Sequence, residues 1–189
     1  PPDAQALSLG VQDLREREKL DPALDKINFI VFSGDAAYGG KAEEYSTAAK
    51  PFFDPGRKAI DLNWGQVFFV PGNHDMDLAA LEKLPPDLAE PFTSPSQVRD
   101  GLTDKDRRAR LLQPFAAFSQ FVLDATHQVR AEYATVSTQW AGGGIVALLG
   151  LNSAWMSGRH RDSTGQLADW GYALVGEPQV DDVLAQATS

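Results

Sequence analysis

Cysteine is absent from this 189-residue chain, histidine occurs three times, and no apolar run nears the length of a membrane span. Without cysteine there are no disulfides and no thiolate metal sites, a composition that fits a cytoplasmic protein. Crossing a bilayer takes about 20 consecutive apolar residues. The opening Pro1-Pro2-Asp3 is neither basic nor apolar in the manner of a signal peptide, so a soluble chain without a membrane partner is expected. Positive charge is also short. Lys and Arg number 17 against 26 Asp and Glu, a formal charge of −9, which disfavours nonspecific nucleic-acid binding through a broad basic face. The 43% hydrophobic content is enough for one core and argues for a single domain over residues 1–189.

Against these absences stand two short runs, Ser33-Gly34-Asp35 and Pro71-Gly72-Asn73-His74-Asp75. The first follows Ile27-Asn28-Phe29-Ile30-Val31-Phe32 and the second Val67-Phe68-Phe69-Val70, both mostly apolar, bounded by turn residues and read as buried strands. In open α/β sheets, ligands gather beyond the carboxyl ends of strands, where Asp35 and Asn73-His74 would stand. Hard divalent cations take carboxylate and amide oxygens, and borderline transition metals accept imidazole as well. Taken singly, Gly-Asp and Gly-Asn after a strand are also ordinary turn pairs. Their joint occurrence is the more specific signal.

On Gly34-Asp35 and Gly72-Asn73-His74-Asp75 the chain resembles the calcineurin-like metallophosphoesterases. The similarity extends through Ala36-Ala37-Tyr38-Gly39-Gly40-Lys41, Glu43-Glu44-Tyr45 and Gly150-Leu151-Asn152-Ser153-Ala154-Trp155, roughly residues 27–185. It is nearest to bacterial members in which this domain is one part of a larger protein. The resemblance implies an α/β fold, a sandwich of β-sheets flanked by helices, and two divalent ions such as Mn, Fe or Zn. It implies Asp35 as the bridging ligand, Asn73 as a ligand of one ion, and His74 as the phosphate contact or the acid that assists the leaving oxygen. Asp75 is then a hydrogen-bonding or turn residue behind the site, with Tyr38 and Asn152 as weaker neighbours of the metal or substrate. The implied reaction is hydrolysis of a phosphodiester or phosphomonoester, the substrate range extending to nucleotides and nucleic acid.

The departures from that pattern are as informative. The family's Asp-x-His triplet and Gly-His-x-His block do not occur, and the remaining histidines, His127 and His160, stand alone. Asp35 and Asn73 are too few to fill the shells of two ions. The expectation is an incomplete domain lacking its first strand and C-terminal part, with further ligands supplied elsewhere. The competing expectation is a catalytically inactive module for interaction or nucleotide sensing. Tyr38 and Gly39 also stand where the protein Ser/Thr phosphatase branch has Asp and Arg, which disfavours that branch.

Between the motifs, helices are expected over residues 4–19, 42–50 (limited or bent by Pro51 and Pro55), 78–84 and 176–185. Residues 85–104, rich in Pro, Ser, Asp and Gly, read as a surface insertion: a solvated connection or a lid over the site. Lys105-Asp106-Arg107-Arg108-Ala109-Arg110 reads as a solvated helix face, and Phe115, Phe118, Phe121 and Val122 as core. Residues 132–139 and 145–151 form a hairpin around Ala141-Gly142-Gly143-Gly144, which lacks the Lys and Ser/Thr of a phosphate-cradling loop. His127 is expected at a helix end and His160 in an exposed loop.

Overall fold

The structure, a computed structural model, describes residues 4–129, 131–168 and 173–188. Its elements begin with helix α1 (Ala4–Arg15), a 3-10 turn at Arg17–Lys19 and strand β1 (Ile30–Phe32). Helix α2 (Ala42–Glu44), a π-helical turn (Tyr45–Ala49) and helix α3 (Lys50–Ala59) carry the chain to strand β2 (Val67–Phe69). Helices α4 (Leu78–Leu81), α5 (Pro86–Ala89), α6 (Pro95–Thr103), α7 (Lys105–Leu112) and α8 (Ala116–Thr126) follow. Strands β3 (Ala134–Ala141) and β4 (Gly144–Leu151) and helix α9 (Glu177–Ala187) complete the α/β fold.

β1 and β2 pair in parallel, Ile30 with Val67 and Phe32 with Phe69, and the Val70 N–H donates to the Phe32 carbonyl at 3.0 Å. Parallel pairing requires a crossover, and α2–α3 supply it. The prolines, expected to limit or bend this helix, do not end it. The widened turn at Tyr45–Ala49 re-phases the hydrogen-bond ladder ahead of Pro51, and α3 continues with Pro55 inside it. β2 is wholly buried as expected, whereas β1 is not: Val31 remains 48% exposed. Among the described residues no strand lies on the outer edge of β1.

Aromatic packing holds this half together. Phe53 meets Phe32 and Phe69 edge-on, and Phe69 meets Phe121 of α8 in the same way, at centroid distances of 4.5–5.5 Å. Phe115, Phe118, Phe121 and Val122 are all buried, so the spacing read as core is core. β3 and β4 form the expected antiparallel hairpin. Its strands extend to Ala141 and from Gly144 because Gly142 and Gly143, at φ 58° and 84°, make a two-residue turn.

Residues 85–104 differ from their expectation as a loop. They hold α5 and α6, Leu88 and Leu102 are fully buried, and α6 packs on α7 and α9. Pro86 and Pro95 stand at first-turn positions where a missing N–H is harmless, so prolines that read as loop formers start helices. The basic face of α7 is also only partly solvated. Arg107 lies over the Phe92 ring, and Arg108 over the Tyr133 ring while donating to the Leu102 carbonyl at 2.7 Å. Among the described residues no helix is long and apolar enough to cross a membrane.

Candidate functional site

The loops leaving β1 and β2 run side by side and are pinned along their length. At the base, the backbones of Gly34 and Gly72 touch, so that a Cβ on Gly34 would lie 2.7 Å from Gly72 Cα. Next, Asp35 Oδ1 accepts the His74 N–H at 3.1 Å. Further out, Asp75 Oδ1 accepts the Ala37 N–H at 3.0 Å, and the Tyr38 carbonyl meets His74 Nδ1 at 2.9 Å. At the far end Gly40 lies against the backbone of Met76 and Asp77, and Lys41 pairs with the Asp77 carboxylate. These six tethers leave the two loops little independent freedom.

Asp75 is the buried pin of this arrangement. Its carboxylate is fully buried and accepts hydrogen bonds from Ala37 N, Gly72 N (2.9 Å) and the Tyr45 hydroxyl (2.9 Å). Burial pushes the Asp75 carboxyl up from its ordinary range, against the pull of the Gly72, Tyr45 and Ala37 donors. Burial, reinforced by the Asp75 charge, also pushes the Tyr45 phenol up, so Tyr45 stays a protonated donor. Nothing in the sequence singled out Tyr45 as the third donor, because a tyrosine at a helix start looks like ordinary core.

Above this pin the candidate residues face solvent. Asp35, Asn73, His74 and Tyr38 are all exposed. Asp35 adopts φ 59°, a left-handed conformation that Asp tolerates and that is uncommon for non-glycine residues outside turns and functional loops. Its only hydrogen bond among the described residues uses Oδ1, which leaves Oδ2 to an external ligand. The Asn73 amide has no partner among the described residues. A carboxylate and an amide oxygen on one pinned pair of loops fit the oxygen-rich part of a divalent metal site. They form only that part: among the described residues, no group of three His, Asp or Glu could hold an ion.

His74 is held twice. Because a carbonyl oxygen can only accept, Nδ1 carries the proton toward Tyr38, and Nε2 is left as the free ring nitrogen. The Tyr38 ring also stacks on the imidazole, with centroids 5.5 Å apart and planes 26° apart. A tyrosine hydroxyl at this position could have served as the partner of His74, but the backbone carbonyl makes the bond.

The other candidates lie elsewhere. Asn152 is fully buried; its amide donates to the Glu132 carbonyl at 2.6 Å and accepts from the Ala154 N–H at 2.8 Å. Fully buried and bonded to backbone at both ends of its side chain, Asn152 closes β4 and does not face the solvent-exposed site. His127 caps α8 in the left-handed conformation, the helix-end position expected of it. His160 is half-buried rather than exposed, its carbonyl accepting the Ala168 N–H at 2.9 Å. Arg159 was missed by the sequence reading. It is buried, and its guanidinium donates to the carbonyls of Leu88, Trp155, Ser157 and Leu111.

No curated protein and no solved structure matches the chain. A family model for calcineurin-like phosphoesterases matches residues 9–161, a stretch that contains both pinned loops and all of β1–β4. Members of this family typically bind divalent metals, in keeping with oxygen donors set at the carboxyl ends of two parallel strands. On that match and this geometry, the chain belongs to the calcineurin-like phosphoesterase family.

Proposed function

We propose that the protein hydrolyses a phosphodiester or phosphomonoester with the help of two divalent ions of the Mn, Fe or Zn kind. The observation that supports this reading most is the placing of Asp35 and His74 in direct hydrogen-bond contact across two loops, 39 residues apart in sequence. Asp35 and Asn73 would hold the metal, with the rest of the coordination shell coming from residues outside these two loops. When bound, such ions act as Lewis acids toward phosphoryl oxygens and lower the pKa of a coordinated water.

The chain's own groups supply the remainder. Asp35 fixes the His74 backbone through Oδ1 and offers Oδ2 outward. With Nδ1–H committed to the Tyr38 carbonyl, Nε2 of His74 is the atom that faces substrate, and once it has taken up a proton from water it donates to a phosphoryl oxygen or passes that proton to the leaving oxygen. Asn73 contributes a neutral oxygen, so the site keeps net positive charge for an anionic substrate once metal is bound. Nucleotides and nucleic-acid ends fall within that substrate class.

The test uses the intact protein loaded with Mn and desalted. Elemental mass spectrometry should find bound metal that Asp35→Asn loses. Hydrolysis of an aryl phosphodiester should fall at least about 100-fold in Asp35→Asn and in His74→Ala, the range for a positioned acid or base, with thermal unfolding kept. Undiminished turnover in both variants would refute the assignment. Metal-free protein with no turnover would favour an inactive interaction or nucleotide-sensing module.

A further inference from the structure

We propose that Tyr38 is the positioning residue for the His74 imidazole, its carbonyl fixing the tautomer and its ring fixing the plane. Its role in turnover rests on the phosphoesterase reading above; the positioning itself does not. Three observations carry it. First, the backbone around Tyr38 is locked on both sides: the Ala37 N–H donates to Asp75 at 3.0 Å and the Gly39 N–H donates to Glu44 at 3.0 Å. A carbonyl held between two such anchors has one direction, and it meets Nδ1 of His74 at 2.9 Å.

Second, the Tyr38 side chain is 84% exposed, so it contributes almost nothing to the core. Among the described residues its one ring contact is the stack on His74. An aromatic ring left in water gains stability from burial only where it covers something, and here it covers the imidazole face. Third, both restraints come from the loop that carries Asp35, which itself holds the His74 N–H. The metal-facing carboxylate and the supports of the imidazole therefore move as one unit. The in-plane hydrogen bond and the face-on ring restrain different rotations of the His74 side chain, and together they leave Nε2 as the reactive nitrogen.

Nitrogen-15 and proton NMR of the metal-free intact protein tests the positioning without any turnover. In the wild type, His74 Nδ1 should be protonated, Nε2 should be of the unprotonated type, and the imidazole C–H protons should be shifted upfield by the Tyr38 ring. Tyr38→Phe should keep all three signatures. Tyr38→Ala should abolish the upfield shift while Nδ1 stays protonated, because the anchored backbone carbonyl remains, with the unfolding midpoint unchanged because the side chain is exposed. In turnover, Tyr38→Ala should lower kcat about tenfold with KM unchanged, as expected for misplacement of a reacting group, and Tyr38→Phe should restore it. An unprotonated Nδ1 in the wild type, unchanged His74 signals in Tyr38→Ala, or a Phe variant as impaired as Ala would overturn the assignment. Shifted His74 signals in a protein that hydrolyses no phosphate ester would uphold the positioning and overturn the phosphoesterase reading instead.

Discussion

Gly34 and Gly72 are in backbone contact, and that contact brings the two halves of the candidate site together. A Cβ on Gly72 would lie 2.1 Å from Asp35 Oδ1, and one on Gly34 would lie 2.7 Å from Gly72 Cα at a φ of 124° that side-chain-bearing residues rarely adopt. Gly72 has an ordinary φ, but a Cβ there would also lie 2.7 Å from the Asp35 backbone nitrogen, so Gly72→Ala should displace both the Asp35 carboxylate and its backbone and cost metal affinity as well as stability. Gly34→Ala should cost about 1–3 kcal/mol from strain alone. Metal titration beside thermal unfolding separates the two effects; a Gly72→Ala protein with wild-type metal affinity would contradict the stated contact.

The Asp75 pin should be costly to remove. Tyr45→Phe deletes one of three donors to a buried carboxylate and should cost about 1.5–3 kcal/mol, the range for a hydrogen bond to a charged group. Asp75→Ala strands the Ala37 and Gly72 amides and should cost more. Urea unfolding of both variants checks the order, and equal or smaller loss in Asp75→Ala would be inconsistent with the pin.

Asp77 links the site to acid stability. Its burial is outweighed by Lys41 and by the Ala80 and Ala79 amides at the start of α4, so its carboxyl lies below the ordinary carboxylate range. A group depressed in the folded state contributes stability above its unfolded pKa of about 3.9, lost as pH falls through the lower folded value. Stability measured from pH 6 down to about pH 2 should therefore decline in the wild type and decline less steeply in Asp77→Ala. At neutral pH that variant should be about 1 kcal/mol less stable through the lost cap.

Arg159 should not tolerate lysine. Its planar guanidinium reaches four carbonyls from three parts of the chain, a spread that one ammonium does not match. Arg159→Lys should lower stability by at least about 2 kcal/mol, read as the shift of the denaturant midpoint at unchanged slope.

The β1 and β2 motifs, the Phe115–Val122 stripe, the Gly142-Gly143 hairpin and the helix opened by Pro178 were all legible in the sequence. Each is governed by neighbours within a few residues, through periodicity and turn chemistry. The helices of residues 85–104 were not, because prolines at first-turn positions carry the same local signal as prolines in loops, and only the burial of Leu88 and Leu102 distinguishes them.

The sequence by itself determined that Asp35, Asn73 and His74 stand beyond two strands, since motif and strand are contiguous in the chain. Tertiary structure alone decided that Asn152 is spent on holding β4, that Asp75 and Tyr45 form the pin, and that a carbonyl rather than a phenol hydroxyl meets His74. Side-chain type is written in the sequence, but which atom meets which partner depends on the approach of segments 20 or more residues apart, the two pinned loops among them. That approach is set by the packing of the strands beneath them.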